Sequence, residues 1–154
     1  MILVIISAGV AFSYNALSDN GIDPLRGTKA GNVSSGSNRR NNYGVTVINL
    51  EETLGMMEEG AVVIDARTRK AYEKGHIPGA VLFDYYMFNK YVDLVLPQLD
   101  PTQKTIIYCS SPSCGTSELL ARELYSLGYE NLHVFRGGFS TWEEQGYPVE
   151  GGMR

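Results

Sequence analysis

From Val45 onward, short apolar runs alternate with stretches of helical periodicity. Val45-Thr46-Val47-Ile48 is a β-branched run and predicts a strand. Asn49 follows at an N-cap position, with Glu52 at capping-box spacing; Leu50, Leu54 and Met57 supply an apolar helix face that Gly60 ends. Ala61 to Asp65 predicts a buried strand finishing on an acid, Arg69 to Lys74 a short helix, and Ala80 to Phe83 another strand. Asp84 to Leu96 reads as an aromatic-rich helix stopped by Pro97. Thr105-Ile106-Ile107-Tyr108 predicts a buried strand, and Cys109 stands where it ends. After a polar loop, Leu119, Leu120, Leu124 and Leu127 recur at helical spacing behind two candidate N-caps, Thr116 and Ser117. Gly128 ends that helix, Leu132 to Phe135 makes the last strand, and Gly137-Gly138 turns into a final helix around Trp142. Strands alternating with helices predict an α/β fold: a mostly parallel sheet with helices on both faces.

Upstream of Val45 the pattern changes. Met1 to Ser18 carries no charged side chain, and Ile2 to Phe12 is nearly all apolar. Residues 1–18 are expected to be a membrane anchor or signal segment, with an element packed on the domain as the other reading. Ser13, Tyr14 and Asn15 leave the run at the short end of the roughly 17–25 apolar residues a span needs, and a signal peptide's basic start and cleavage site are not evident. The expected location is membrane-associated. By the positive-inside rule Arg26, Lys29, Arg39 and Arg40 keep the next domain cytoplasmic; an extracytoplasmic placement is the alternative. Residues 19–44, rich in Gly, Ser and Asn, predict a flexible tether, which leaves residues 45–150 as the folded domain.

The chain of 154 residues suits one such domain with a real core. Its net charge of −4 divides into +2 over residues 1–44 and −6 over residues 45–154. An acidic domain does not attract nucleic acid, so the expected partners are small molecules or proteins. The cysteines, Cys109 and Cys114, are too few for a disulfide framework.

In an open parallel sheet, ligands sit outside the carboxyl ends of the strands, which brings Asp65 and Cys109 to one crevice. A thiol between a strand end and a helix N-terminus faces backbone N–H groups that favour the thiolate. The competing reading is a buried cysteine that merely closes a core strand. Asp65 and Arg67, two apart, read as an ion pair bracing the loop rather than a catalytic pair. His76, within a Gly-His-Ile-Pro-Gly turn, reads as a hydrogen-bonding brace rather than a base for Cys109, and His133 as a plain strand residue. A thiolate resting on N–H groups alone suits attack that removes no proton, such as transfer of a sulfane sulfur. No metal or cofactor is expected.

Four stretches carry a family resemblance: VVIDAR (Val62 to Arg67), YEKGHIPGA (Tyr72 to Ala80), IIYCSSPSCGTS (Ile106 to Ser117) and GGFSTWEEQGYPV (Gly137 to Val149). In this order they resemble a rhodanese-like domain of the sulfurtransferase family. The resemblance implies a central parallel sheet, here five-stranded, and a loop cysteine, matched by Cys109, that carries a persulfide. It implies a substrate-binding loop of Ser110, Ser111, Pro112, Ser113, Cys114, Gly115, Thr116 and Ser117, with Asp65, Arg67 and His76 in support. The implied partners are a small-molecule or protein persulfide donor and a thiol acceptor. The loop departs from the family pattern in being longer, in lacking Arg or Lys before Arg122, and in holding a second thiol, Cys114. Without a loop cation, thiosulfate is expected to bind weakly. Similar loops occur in membrane-tethered members.

Three alternatives compete with sulfur transfer. A cysteine phosphatase or arsenate reductase needs Cys-x5-Arg, but Gly115 stands at that arginine position. Thiol–disulfide chemistry between Cys109 and Cys114 is the second; the spacing is not the CxxC redox spacing, so Cys114 is expected to be a bystander. A non-catalytic interaction module is the third.

Overall fold

The computed structural model describes residues 44–152. The predicted anchor (1–18) and nearly all of the predicted tether (19–44) lie outside the described residues. No helix among the described residues is long and apolar enough to cross a membrane.

Strands β1 (Thr46–Ile48), β2 (Val62–Asp65), β3 (Val81–Leu82), β4 (Thr105–Tyr108) and β5 (Leu132–Phe135) form one sheet in the order β1-β5-β4-β2-β3. Every pairing is parallel, so the sheet is parallel throughout rather than mostly so. The helices are α1 (Leu50–Glu58), α2 (Arg69–Lys74), α3 (Phe88–Val95), α4 (Thr116–Ser126) and α5 (Gly138–Glu144). Alternation along the strands splits the core in two. Ile64, Ile107 and Val134 pack with Tyr91 and Val95 of α3 and Leu120 and Leu124 of α4. Val63, Ile106, Tyr108 and Phe135 pack with Trp142 of α5 and Leu54 and Met57 of α1 on the other face. All four residues of β4, the middle strand, are buried; each large apolar side chain there contributes about 1.5–3 kcal/mol.

Helix starts are set locally. Asn49 caps α1 in a full capping box: its Oδ1 accepts from Glu52 N–H at 2.9 Å, and Glu52 Oε2 accepts from Asn49 N–H at 2.8 Å. The predicted helix over Asp84–Leu96 is instead three pieces. Asp84 caps a 3-10 turn at Tyr85–Met87, α3 follows, and Leu96–Gln98 forms a second 3-10 turn with Pro97 inside it. Proline fits the first turn of such a segment because its missing N–H is not needed there. The apolar face of α4 also differs from the predicted one. Leu120, Ala121 and Leu124 are buried, whereas Leu119 and Leu127 are exposed.

Candidate active site

Register aligns Asp65, Tyr108 and Phe135 across the three inner strands. One residue further, Cys109 leaves the middle of the sheet, only 3% exposed. The loop that follows turns back on itself. Ser111 O accepts from Cys114 N–H at 3.0 Å, closing a turn with Pro112 in second place, where its fixed φ is favoured. That turn brings Cys114 over Cys109, and the two are joined in a disulfide with Cα atoms 6.1 Å apart. Cys114 thus stands against Cys109 rather than free in a long loop. The pairing does not need the CxxC spacing, because the Ser-Pro turn folds the chain between the two cysteines.

The expected N-caps of α4 are corrected as well. Gly115 holds the cap position, with no side-chain cap hydrogen bond. Thr116 is already helical, and its hydroxyl is aimed into the loop instead. It donates to Cys109 Sγ at 2.8 Å and lies 3.3 Å from Cys114 Sγ. Ser117 is buried in the same first turn, Ser110, Pro112, Ser113 and Gly115 are exposed, and Ser111 is half-buried with its hydroxyl 3.0 Å from that of Ser113. The start of α4 thus keeps its backbone N–H groups clear of a capping side chain, beside a sulfur that already receives a hydroxyl.

The base of the loop is held from both sides. On the β5 side, Phe139 N–H donates to Cys109 O at 2.8 Å and Ser140 N–H to Ser110 O at 2.9 Å. Gly138 makes this approach possible: its φ is +66°, and a Cβ there would stand 2.6 Å from Cys109 O. On the β2 side, Ala66 N–H donates to Tyr108 O at 2.9 Å, continuing the ladder.

Asp65 and Arg67 form a buried ion pair, 2.7 Å from Arg67 Nη2 to Asp65 Oδ2. Arg67 also donates to Gly75 O at 2.6 Å and lies 4.1 Å from the Phe139 ring centroid. Burial works against the guanidinium charge, but the bonds and negative charge of Asp65 outweigh it and raise the pKa of Arg67. Tyr108 completes the brace. Its hydroxyl donates to Asp65 Oδ2 at 2.6 Å and accepts from Ile77 N–H at 3.1 Å. Burial, then the charge of Asp65, pushes the phenol well above its ordinary range, so Tyr108 is a permanent donor. His76 occupies the turn that this network holds. Its ring stacks on Tyr72 at 3.7 Å, Nδ1 lies 2.9 Å from Tyr72 O, and Nε2 lies 3.8 Å from Glu150. His133 lies on β5 with Nε2 3.0 Å from Asn131 Oδ1.

Two of these contributors, Tyr108 and Gly138, were missed from sequence, and a third, Thr116, was placed in the loop without its contact to the sulfurs. Tyr108 was counted as an apolar strand residue, although a phenol ending an aliphatic run needs a polar partner. Thr116 was taken as a cap, and Gly138 as part of a turn, although paired glycines also signal close backbone approach. No group of His, Cys, Asp and Glu suited to a metal is found among the described residues. A cavity of about 390 Å³ lies at the ends of β1 and β5, lined by Ile48, Leu50, Phe135 and Thr141 among others and by none of the loop residues.

Residues 49–145, which hold most of this sheet and the Cys109 loop, match the family described as "Rhodanese-like domain". The chain belongs to the rhodanese-like domain family. This rhodanese-like chain is 34% identical over 103 residues to thiosulfate sulfurtransferase GlpE of Pseudomonas entomophila, a match covering 67% of this chain and 88% of the relative. It is 23% identical over 116 residues to thiosulfate sulfurtransferase 18 of Arabidopsis thaliana, covering 68% and 83%. Among solved structures, the BH2092 protein of Bacillus halodurans superposes with a TM-score of 0.60 at 25% identity, covering 68% of this chain and 75% of that one. The human single-domain sulfurtransferase TSTD1, at 22% identity and a TM-score of 0.53, covers 64% and 96% and shows the shared fold. At family level these relatives support sulfurtransferase chemistry for the rhodanese-like domain.

Proposed function

We propose that the chain is a sulfurtransferase that takes a sulfane sulfur onto Cys109 as a persulfide and passes it to a thiol or other nucleophilic acceptor. The observation that carries this reading is the seat of Cys109: a strand-end sulfur at the start of α4, receiving the Thr116 hydroxyl at 2.8 Å. In the reduced protein, the Cys109 thiolate attacks the outer sulfur of a donor R–S–SH. The donor's S–S bond breaks, RS⁻ leaves with the electron pair, and the sulfane sulfur stays on Cys109. An acceptor thiolate then attacks that sulfur, and Cys109 leaves as a thiolate. Neither step needs a histidine base, in keeping with the contacts of His76 to Tyr72 and Glu150.

The donor we propose is a small-molecule or protein persulfide rather than thiosulfate. Ser110 to Gly115 contains no basic residue. Arg67 is paired with Asp65, and Arg136 with Glu118. A dianion would be held by neutral donors, about half as strong as charged ones. One observation favours a second reading, thiol–disulfide chemistry, namely the bond between Cys109 and Cys114. We also propose membrane association through residues 1–18, supported by their freedom from charge.

The test uses the full chain, reduced and freed of reductant, with glutathione persulfide as donor and a dithiol as acceptor. Catalysed sulfide production is expected from the wild type and none above background from Cys109→Ser. Equal rates for the two would refute the assignment.

A further inference from the structure

We propose that Cys114 is the resolving thiol for a Cys109 persulfide, so that the protein discharges sulfane sulfur as sulfide and is reset by an external dithiol. This rests on the persulfide reading above. It adds an activity, persulfide reduction, and a site for a dithiol reductant.

The geometry supplies each requirement. The Ser111–Cys114 turn delivers Cys114 Sγ onto Cys109 Sγ itself, the inner sulfur of any persulfide there. The Thr116 hydroxyl lies 2.8 Å from one sulfur and 3.3 Å from the other, within reach of charge on either. The Cys114 thiolate attacks the inner sulfur. The bond from Cys109 Sγ to the outer sulfur breaks, and its electron pair leaves as HS⁻, which takes a proton from solvent. The product is the Cys109–Cys114 disulfide, the state this fold holds.

Access then sets the direction of the second half. Cys109 is buried, 3% exposed, whereas Cys114 is half-buried at the edge of an exposed loop. An incoming dithiol therefore meets the Cys114 sulfur first, and attack there expels Cys109 as the thiolate that reloads. The dithiol's second thiol resolves the mixed bond to Cys114. In sum, R–S–SH plus a dithiol gives RSH, H₂S and the oxidised dithiol. The donor's sulfane sulfur is reduced and the dithiol is oxidised by the same two electrons.

The test is a single turnover. Full-length protein is reduced, freed of reductant and mixed with one equivalent of glutathione persulfide. Sulfide is followed in time, and the state of both cysteines is read by peptide mass. For the wild type, release of one equivalent of sulfide is expected with no added dithiol, beside only the glutathione that loading sets free, together with the Cys109–Cys114 peptide. For Cys114→Ser and Cys114→Ala, sulfide release is expected to fall to about a tenth or less, while a persulfide persists on Cys109 until a dithiol is added. A wild-type persulfide on Cys109 that decays no faster than that of the variants would overturn resolution and leave sulfur carriage standing. Sulfur found on Cys114 would overturn it in favour of a relay between the two thiols. Failure of the wild type and both variants to take up sulfur would overturn the carriage reading, and this inference with it.

Discussion

Replacing Gly138 with Ala tests how the fold holds its reactive cysteine. Two costs fall on this one methyl group. The residue has φ +66°, a region that costs an L-residue about 1–2 kcal/mol. The new Cβ would also stand 2.6 Å from Cys109 O and 2.9 Å from Ser111 N, both backbone atoms that cannot swing aside as a side chain does. Relief requires the loop to back away from α5. That weakens the bonds from Phe139 N–H to Cys109 O and from Ser140 N–H to Ser110 O, each worth about 0.5–1.5 kcal/mol. The sum is about 2–5 kcal/mol, a large part of the roughly 5–15 kcal/mol that holds a domain folded. Gly146 is the internal control. It has φ +77° and nothing within 4 Å of its would-be Cβ, so Gly146→Ala carries only the backbone cost. Urea midpoints and sulfide turnover are measured for both variants. Gly138→Ala is expected to lose more stability than Gly146→Ala and, unlike it, to lose turnover through displacement of Cys109. Equal effects on both readouts would refute the close-approach argument.

Tyr108→Phe removes the hydroxyl shared by Asp65 and Ile77 N–H and should lower stability by about 1–3 kcal/mol in urea melts; an unchanged midpoint would remove Tyr108 from the brace. Ser113→Arg adds a cation to the loop and should raise thiosulfate turnover about ten-fold if it contributes about 1.4 kcal/mol at the transition state. Fast, saturable thiosulfate turnover by the unaltered chain would refute the choice of donor. Deleting residues 1–20 should give a soluble, folded protein that no longer sediments with lipid vesicles and keeps its loop chemistry. If it aggregates or unfolds, the segment belongs to the domain.

The order of elements was legible because each strand here is a short, mostly apolar run bounded by turn residues, and each core-facing helix carries an apolar stripe. The α1 cap was readable because its signal lies within four residues, Asn49 to Glu52. The face of α4 was not. Four leucines at helical spacing fit two overlapping stripes, and only docking on the sheet chooses Leu120 and Leu124 over Leu119 and Leu127. The aromatic stretch after Asp84 was read as one helix because periodicity does not register the 3-10 turns at either end of α3. At the site, Cys109 and the Asp65–Arg67 pair could be located because strand ends converge in a parallel sheet. The contacts of Thr116 and Gly138 with the Cys109 segment span seven residues and more, and no local pattern encodes them. The pairing of Cys114 with Cys109 depended on a turn whose sense emerges only in three dimensions.

The loop after Cys109 is anchored at its root and, through the Cys109–Cys114 bond, at its far end. Cys109 O and Ser110 O are tied to the start of α5, whereas Pro112, Ser113 and Gly115 stand in solvent. Lengthening the exposed stretch between these anchors leaves Cys109 where it is, at an entropic cost that grows only as the logarithm of loop length, about 0.6 kcal/mol per doubling. A substitution at the tip therefore alters what the loop meets in solvent, and one at the root alters where Cys109 stands.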